Sequence, residues 1–237
     1  LCFNEEKLPE FVNIAPYGII NYDAWPNIEA MTQGTVFDWY NKIPALTEQQ
    51  KNDARLDNQY INEVWKAVNA LGSASRAPVA KLLGLKFSLE NVLWALRLKV
   101  YYKMDREEIL SHLTFVENRK DRTDPVAGDA VEILDWSTED SGQWEKWKYS
   151  ELINPYEETG LWTIDPRWVY NAAKKMLVEK AQHMFHQFPF TACPLVCWYI
   201  IKENELDVIR TASECLKMGE NQEKAMSLAG ITEENNG

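Results

Sequence analysis

Apolar residues in the last third of the chain recur at three- and four-residue steps between two strong punctuators. Pro189 and Pro194 oppose helix ahead of them, Pro194 suits a first turn, and Gly219 is a natural left-handed stop. The spacing predicts one helix about 36 Å long from Pro194 to Gly219. Cys197, Trp198, Ile201, Val208, Ile209, Ala212, Cys215 and Leu216 then form a single stripe, which is read as buried. Glu205 falls inside that stripe. A carboxylate there either tilts out to water or finds a partner, because burying it alone costs several kcal/mol.

A second helical region runs from Ser88 to Leu113. Ser88 is placed as an N-cap, and Leu89, Val92, Leu93, Leu96 and Val100 share a face. Asp105 with Glu108 makes a capping box that opens another helix, so the pair reads as an αα-hairpin. Further upstream, Thr47 with Gln50 predicts the cap of a long helix through Leu56, Tyr60, Ile61, Val64, Val68 and Leu71, closed by Gly72. A short helix is expected from Pro78 to Gly84. The stretch from Trp25 to Pro44 reads as a helix interrupted near Gly34. Asp165 and Pro166 open a helix whose stripe is Val169, Ala172, Ala173, Met176, Leu177 and Met184. Between these, Glu117 to Gly160 is read as an irregular excursion in which only Asp129 to Leu134 is helical, with Trp136, Trp144 and Trp147 set among charges. Leu1 to Asn21 is read as irregular, Gln222 to Ala229 as a terminal turn or two, and Glu233 to Gly237 as fraying. No strand pattern of length occurs, so the fold class is all-α.

Two of these stretches resemble a known family. Pro194, Lys202, Glu203, Glu205, Leu206, Ile209, Arg210 and Gly219 resemble the late signature of the C-type subunit of archaeal-type rotary ATPases and of its counterpart in the vacuolar ATPase, the d-type subunit, with Val208 where that signature has Asn. Asn91, Leu96, Arg97, Lys99, Glu107, Glu108 and Ile109 match the family's internal signature. Ser88 stands where Asp is usual there, and Tyr102 and Lys103 occupy a turn where Gly is usual. Glu90, Leu93, Leu96 and Arg97 superpose on Glu203, Leu206, Ile209 and Arg210 at one constant offset, so the signatures read as one repeat seen twice. The resemblance implies a multi-lobed helical bundle like a three-lobed, pseudo-threefold funnel, with lobes at 1–86 (partial), 87–164 and 165–237. It implies a non-catalytic central-stalk subunit on the cytoplasmic face of the membrane. Its partners would be the rotor shaft subunits and the membrane proteolipid ring, and its role the coupling of ATP chemistry to H⁺ or Na⁺ transport. The first residue is Leu rather than Met, and the family's N-terminal helices are expected to be missing.

Composition agrees with a scaffold. With 237 residues, 46% of them hydrophobic, the chain is long enough to bury a sizeable core. A net charge of −11 and a pI near 4.9 argue against nucleic acid or an anionic lipid face as the main partner. The longest apolar run, Ala192 to Ile201, is half of what spans a bilayer, so no transmembrane segment is expected. Cys2, Cys193, Cys197 and Cys215 do not make a disulfide framework, which points to a reducing, cytosolic setting.

Candidate chemistry is thin. Phosphate-loop, dinucleotide, zincin and nucleophile-elbow motifs are absent. The histidines are His112, His183 and His186, and the spacing of His183, His186, Cys193 and Cys197 is not that of a usual structural zinc site. Asp135 and Glu139 beside Trp136 give the ingredients of a glycosidase acid pair at a density that chance supplies. No catalytic residue, cofactor or metal is therefore assigned. An unrelated helical interaction scaffold and an all-α carbohydrate-active hydrolase stand as alternatives. For Glu205 two outcomes are open: pairing across the fold with Arg97 or near Arg210, or solvation at the stripe's edge.

Overall fold

The computed structural model describes residues 18–40, 46–117, 119–155, 161–219, 221 and 226. Among these are eight α-helices and no strand, and no helix is long and apolar enough to cross a membrane. The expectations for 1–17, 222–225 and 227–237 lie outside the described residues. The chain divides into two units, Leu1–Leu56 and Asp57–Gly237.

In the first unit, Asn27 caps α1 (Ile28–Thr32) by accepting from Ala30 N at 3.1 Å. Gly34, at φ +72°, interrupts the helical path at the expected place, and a 3₁₀ turn at Asp38–Tyr40 follows. The Arg55 guanidinium covers the Trp39 ring at 4.1 Å.

Helix α2 (Leu46–Ala70) begins one residue before Thr47, which therefore lies inside the helix rather than at its cap. The larger correction concerns α3 (Ser73–Val100). The expected short helix from Pro78 to Gly84 and the expected Ser88 cap fall within one unbroken helix. Pro78 in its second turn forgoes one backbone bond, and packing outweighs that loss: Leu82, Phe87, Val92 and Leu96 are all buried to within 1%. Ser88 is buried too, and its hydroxyl donates to Asp129 Oδ2 at 2.5 Å instead of capping. The hairpin then forms as expected. Lys103 takes the left-handed conformation, φ +54°, in the turn where the family places Gly. The capping box opens α4 (Arg106–His112), with Glu108 N to Asp105 Oδ1 at 2.8 Å and Asp105 N to Glu108 Oε2 at 3.0 Å.

The expected excursion is in fact a wall of the core. It carries α5 (Gly128–Ile133) and α6 (Ser141–Trp144), and Trp144 and Trp147 are buried. Trp136, Trp144, Trp147 and Tyr149 follow one another edge to face at 5.2, 5.6 and 5.1 Å. Charged neighbours hid this, because short non-periodic segments bury single aromatic anchors without a stripe. Asp165 caps α7 (Pro166–Gln187) by accepting from Arg167 N at 2.9 Å. The last long helix is α8 (Cys193–Lys217), ended by Gly219 at φ +76°.

Two apolar cores line up along α3 and α7. One joins the C-terminal half of α3 to α4, α5, the tryptophans and the start of α7. The other joins α2, the N-terminal half of α3, the end of α7 and the inner side of α8.

Candidate functional site

The two signature stretches have different physical jobs. On α3 they hold the architecture together. The Asn91 amide donates to Thr114 O at 3.0 Å and Val126 O at 2.8 Å and accepts from Thr114 N at 3.0 Å, pinning two loops to the helix. Leu96 is fully buried. Lys99 reaches the C-terminal end of α5, donating to Ile133 O at 3.3 Å, Leu134 O at 2.5 Å and Trp136 O. Burial holds its ammonium below the ordinary lysine range. Glu108 closes the capping box, while Glu107 is exposed beside Arg106 at 3.1 Å.

On α8 the signature points both ways. Glu203 faces inward and meets Lys86 of α3 at 3.2 Å, and Lys86 also holds Glu90 at 2.5 Å. Burial by itself would lower the Lys86 ammonium, and the two glutamates outweigh it, holding the group above its ordinary value. Glu90 goes the other way: burial raises its carboxyl despite Lys86, with Glu203 adding to the rise. The two directions conflict over one contact. The Lys86 direction governs, because that ammonium faces two acids and each acid faces one ammonium. Below this clasp, Lys174 of α7 meets Asp207 of α8 at 3.0 Å and lies over the Tyr170 ring at 5.2 Å. These groups border a cleft of about 150 Å³ between α3, α7 and α8, floored by Leu89, Leu93 and Ile200.

The outward side of α8 overturns the single buried stripe. Cys197 and Cys215 are buried, as is Ile200, but Trp198, Ile209 and Leu216 are exposed, and so are Leu195, Tyr199 and Leu206. The helix is apolar on two sides, and the expected stripe joined residues from both. Glu205 is among the exposed residues, paired with Lys202 at 2.6 Å one turn away. Arg97 lies instead over the Tyr170 ring at 5.3 Å. The solvated alternative for Glu205 holds, and the cross-fold acid is Glu203. The internal repeat fails by the same test. Leu93 and Leu96 are buried, while Leu206 and Ile209, their counterparts, are 53% and 61% exposed.

The chemistry weighed against packing does not assemble. His183 and His186 are exposed, whereas Cys193 and Cys197 are buried with their sulfurs 3.7 Å apart. Among the described residues no group of three or more His, Cys, Asp or Glu is placed to hold a metal. Asp135 is held by Arg106 at 3.0 Å and Arg122 at 3.6 Å. Sequence reasoning passed over Lys86 and Asp124. Lys86 gave no signal, since its acid partner on α8 is remote in sequence. Asp124 stands before Pro125 in a turn-forming context, and it accepts four backbone N–H groups, from Val116, Glu117, Val126 and Ala127, at 2.9 to 3.0 Å.

With this geometry in place, the comparisons fix the family. The chain belongs to the ATP synthase (C/AC39) subunit family, whose sequence model matches residues 27–228. The family is one of rotary ATPase subunits. An uncharacterized protein of Treponema pallidum (strain Nichols) is 26% identical over 209 residues, which cover 87% of this chain and 61% of the relative. The chain thus spans less than two thirds of that relative's length. No solved structure matches the chain.

Proposed function

We propose that the protein is a non-catalytic central-stalk subunit of a V/A-type rotary ATPase, seating the rotor shaft on the membrane proteolipid ring and so coupling it to H⁺ or Na⁺ transport. The observation that carries this reading is the family match across residues 27–228. The job needs a stiff helical body that passes torque without chemistry. Two cores in series along α3 and α7, clasped to α8 by Lys86 and Glu203, supply stiffness. Its working place is then the cytoplasmic face of the membrane, held by protein contacts.

The test is purification of the tagged chain from membranes of its source cells in mild detergent. Co-purification of rotary ATPase head, shaft and ring subunits is the expected result. Their reproducible absence, with the tagged chain present and folded, overturns the reading.

A further inference from the structure

A second cleft, of about 560 Å³, runs along α3 between α2, α7 and the segment that follows α6. That is within the size of small-molecule sites, roughly 300 to 1,000 Å³. Its two ends differ. Because α3 and α7 run antiparallel, Lys81 of α3 and Lys180 of α7 share one end. Neither has an Asp or Glu three or four residues away on its own helix, and neither is ion-paired among the described residues. The half-buried lysines elsewhere on these helices all have oxygen partners: Lys86 has Glu90 and Glu203, Lys174 has Asp207, and Lys99 has the carbonyls after α5. Lys180 is half-buried too and has none. The opposite end is polar but already balanced. Asp129 accepts from Ser88 Oγ at 2.5 Å and from the Tyr149 hydroxyl at 3.0 Å, and it pairs with Lys148 at 2.5 Å, so its charge is matched. Glu151 lines the cleft as an exposed carboxylate. Between the ends, Trp65, Leu85 and Met176 make the walls apolar.

We propose that this cleft binds a small phosphate monoester carried on a flat ring system, of the nucleoside monophosphate type. The phosphate lies between Lys81 and Lys180, the ring lies on the apolar walls, and the ring's polar edge reaches the Ser88 end. Charge selects the head group. A phosphate monoester bears close to two negative charges at neutral pH, which matches two ammoniums that have no acid of their own. Length selects the body. Lys81 and Ser88 stand two helical turns apart, about 10 Å, which is the reach of such a molecule from phosphate to ring edge. Trp65 and Met176 favour an aromatic ring between those ends. Glu151 accepts from a ring amino group, which a simple fatty acid lacks. Inorganic phosphate would leave the apolar walls uncovered. A polyanion such as nucleic acid would be repelled by the rest of a chain whose net charge is −11. The anion is held by side chains on two remote helices rather than by successive backbone amides, so no glycine-rich motif marks the site.

Isothermal titration of the full 237-residue chain with adenosine 5′-monophosphate tests this directly. The expected Kd is about 10 to 300 µM. Adenosine and inorganic phosphate, which each supply one half of the ligand, are expected to bind at least about tenfold more weakly. Lys180→Met keeps the apolar stem and removes the charge, and is expected to weaken binding about five- to thirtyfold. Lys81→Met, at the more exposed lysine, is expected to weaken it about three- to tenfold. Both variants are expected to keep the parent's circular dichroism spectrum and melting temperature, since neither ammonium is paired in the free protein. Lys175→Met, on α7 but lining neither cleft, is the control and is expected to change the Kd by less than about twofold. No heat of binding at about 5 mM nucleotide overturns the proposal. So does a Kd equal to that of adenosine or of inorganic phosphate, or an effect of Lys175→Met as large as those of Lys81→Met and Lys180→Met. None of these outcomes bears on the rotary ATPase reading, which rests on the family match and on partners recovered from membranes.

Discussion

Replacing Lys86 by Met isolates the clasp between α3 and α8. Met keeps the length and apolar stem of the side chain and removes the ammonium that sits between Glu90 at 2.5 Å and Glu203 at 3.2 Å. Removing one member of a buried pair typically costs about 3–5 kcal/mol, because a charge is left behind without a partner. Here only the lysine is well buried: its side chain is 11% exposed, whereas the glutamates are 46% and 41% exposed and can be rehydrated. Discounting for that leaves an expected loss of about 1.5–2 kcal/mol at neutral pH. In a chain of this length that is about 3–8 °C in Tm.

The pH dependence gives the sharper check. Lys86 has a raised folded-state pKa, so while Glu90 and Glu203 are ionised its contribution is present below the ordinary lysine value of 10.5 and is lost as pH climbs through the raised value. Burial raises the Glu90 carboxyl even with Lys86 beside it, so its ionisation as pH rises costs some stability in the parent and costs more once the Lys86 ammonium is removed. The Lys86→Met loss is therefore expected in full at about pH 7 and to shrink as pH falls through the raised carboxyl range, measured by urea denaturation at about pH 7 and about pH 4.5. Glu203→Ala should cost about 1 kcal/mol at neutral pH, and Glu205→Ala, whose side chain faces water with Lys202, less than about 0.5 kcal/mol. A Lys86→Met chain within about 0.3 kcal/mol of the parent, or a loss of equal size at both pH values, would refute the reasoning.

Two further expectations concern the loop that carries α5. Asp124 is buried and satisfies four backbone N–H donors at once, so Asp124→Ala is expected to cost about 3–5 kcal/mol and Asp124→Asn, which keeps one acceptor oxygen, about half of that; chemical denaturation reads both, and near-equal losses would show that one retained acceptor rescues nothing. Gly128→Ala is expected to lose about 1–3 kcal/mol, because its Cβ would stand 2.4 Å from the Arg122 carbonyl oxygen, which belongs to the backbone and cannot swing away. Gly142→Ala meets only the Asp140 carboxylate at 3.4 Å and serves as the control, with a change below about 0.5 kcal/mol in thermal melts.

Local punctuation predicted the helix ends well wherever a cap was the whole cause. Asp105 with Glu108, Asp165 with Pro166, Gly34 and Gly219 all act where spacing placed them. It failed at Pro78 and Ser88, whose local preferences for a break are worth a few kcal/mol at most, against a helix buried on nearly every side. The tryptophan segment failed for a related reason. Trp144 and Trp147 are anchored by the fold around them, and no period in the sequence announces a residue that packs alone. Of the signature positions, Asn91 and Lys99 became intelligible only with coordinates, since each acts on backbone groups that sequence cannot place: the carbonyls of Thr114, Val126, Ile133, Leu134 and Trp136.

Helix α8 shows why apolar spacing alone could not assign its faces. With apolar residues on two sides, a 3.6-residue stripe can be drawn through either, and the one drawn from Cys197 to Leu216 borrows from both. The acids separate them. Glu203 lies inward because Lys86 and Lys174 gather on the same side of the helix, where Asp207 takes the second lysine. Glu205 lies outward with Lys202 among leucines and isoleucine. The usual correspondence of charge with water and carbon with core is thus partly inverted on this helix: an ion-paired clasp fastens its inner side, and large apolar residues ride on its outer side. The clasp and the cysteine-lined core hold α8 in place, whereas the exposed carbon, as open to water in the unfolded chain as in the folded one, adds nothing to that hold. The inner contacts set where α8 sits; the outer ones are left over for whatever α8 meets.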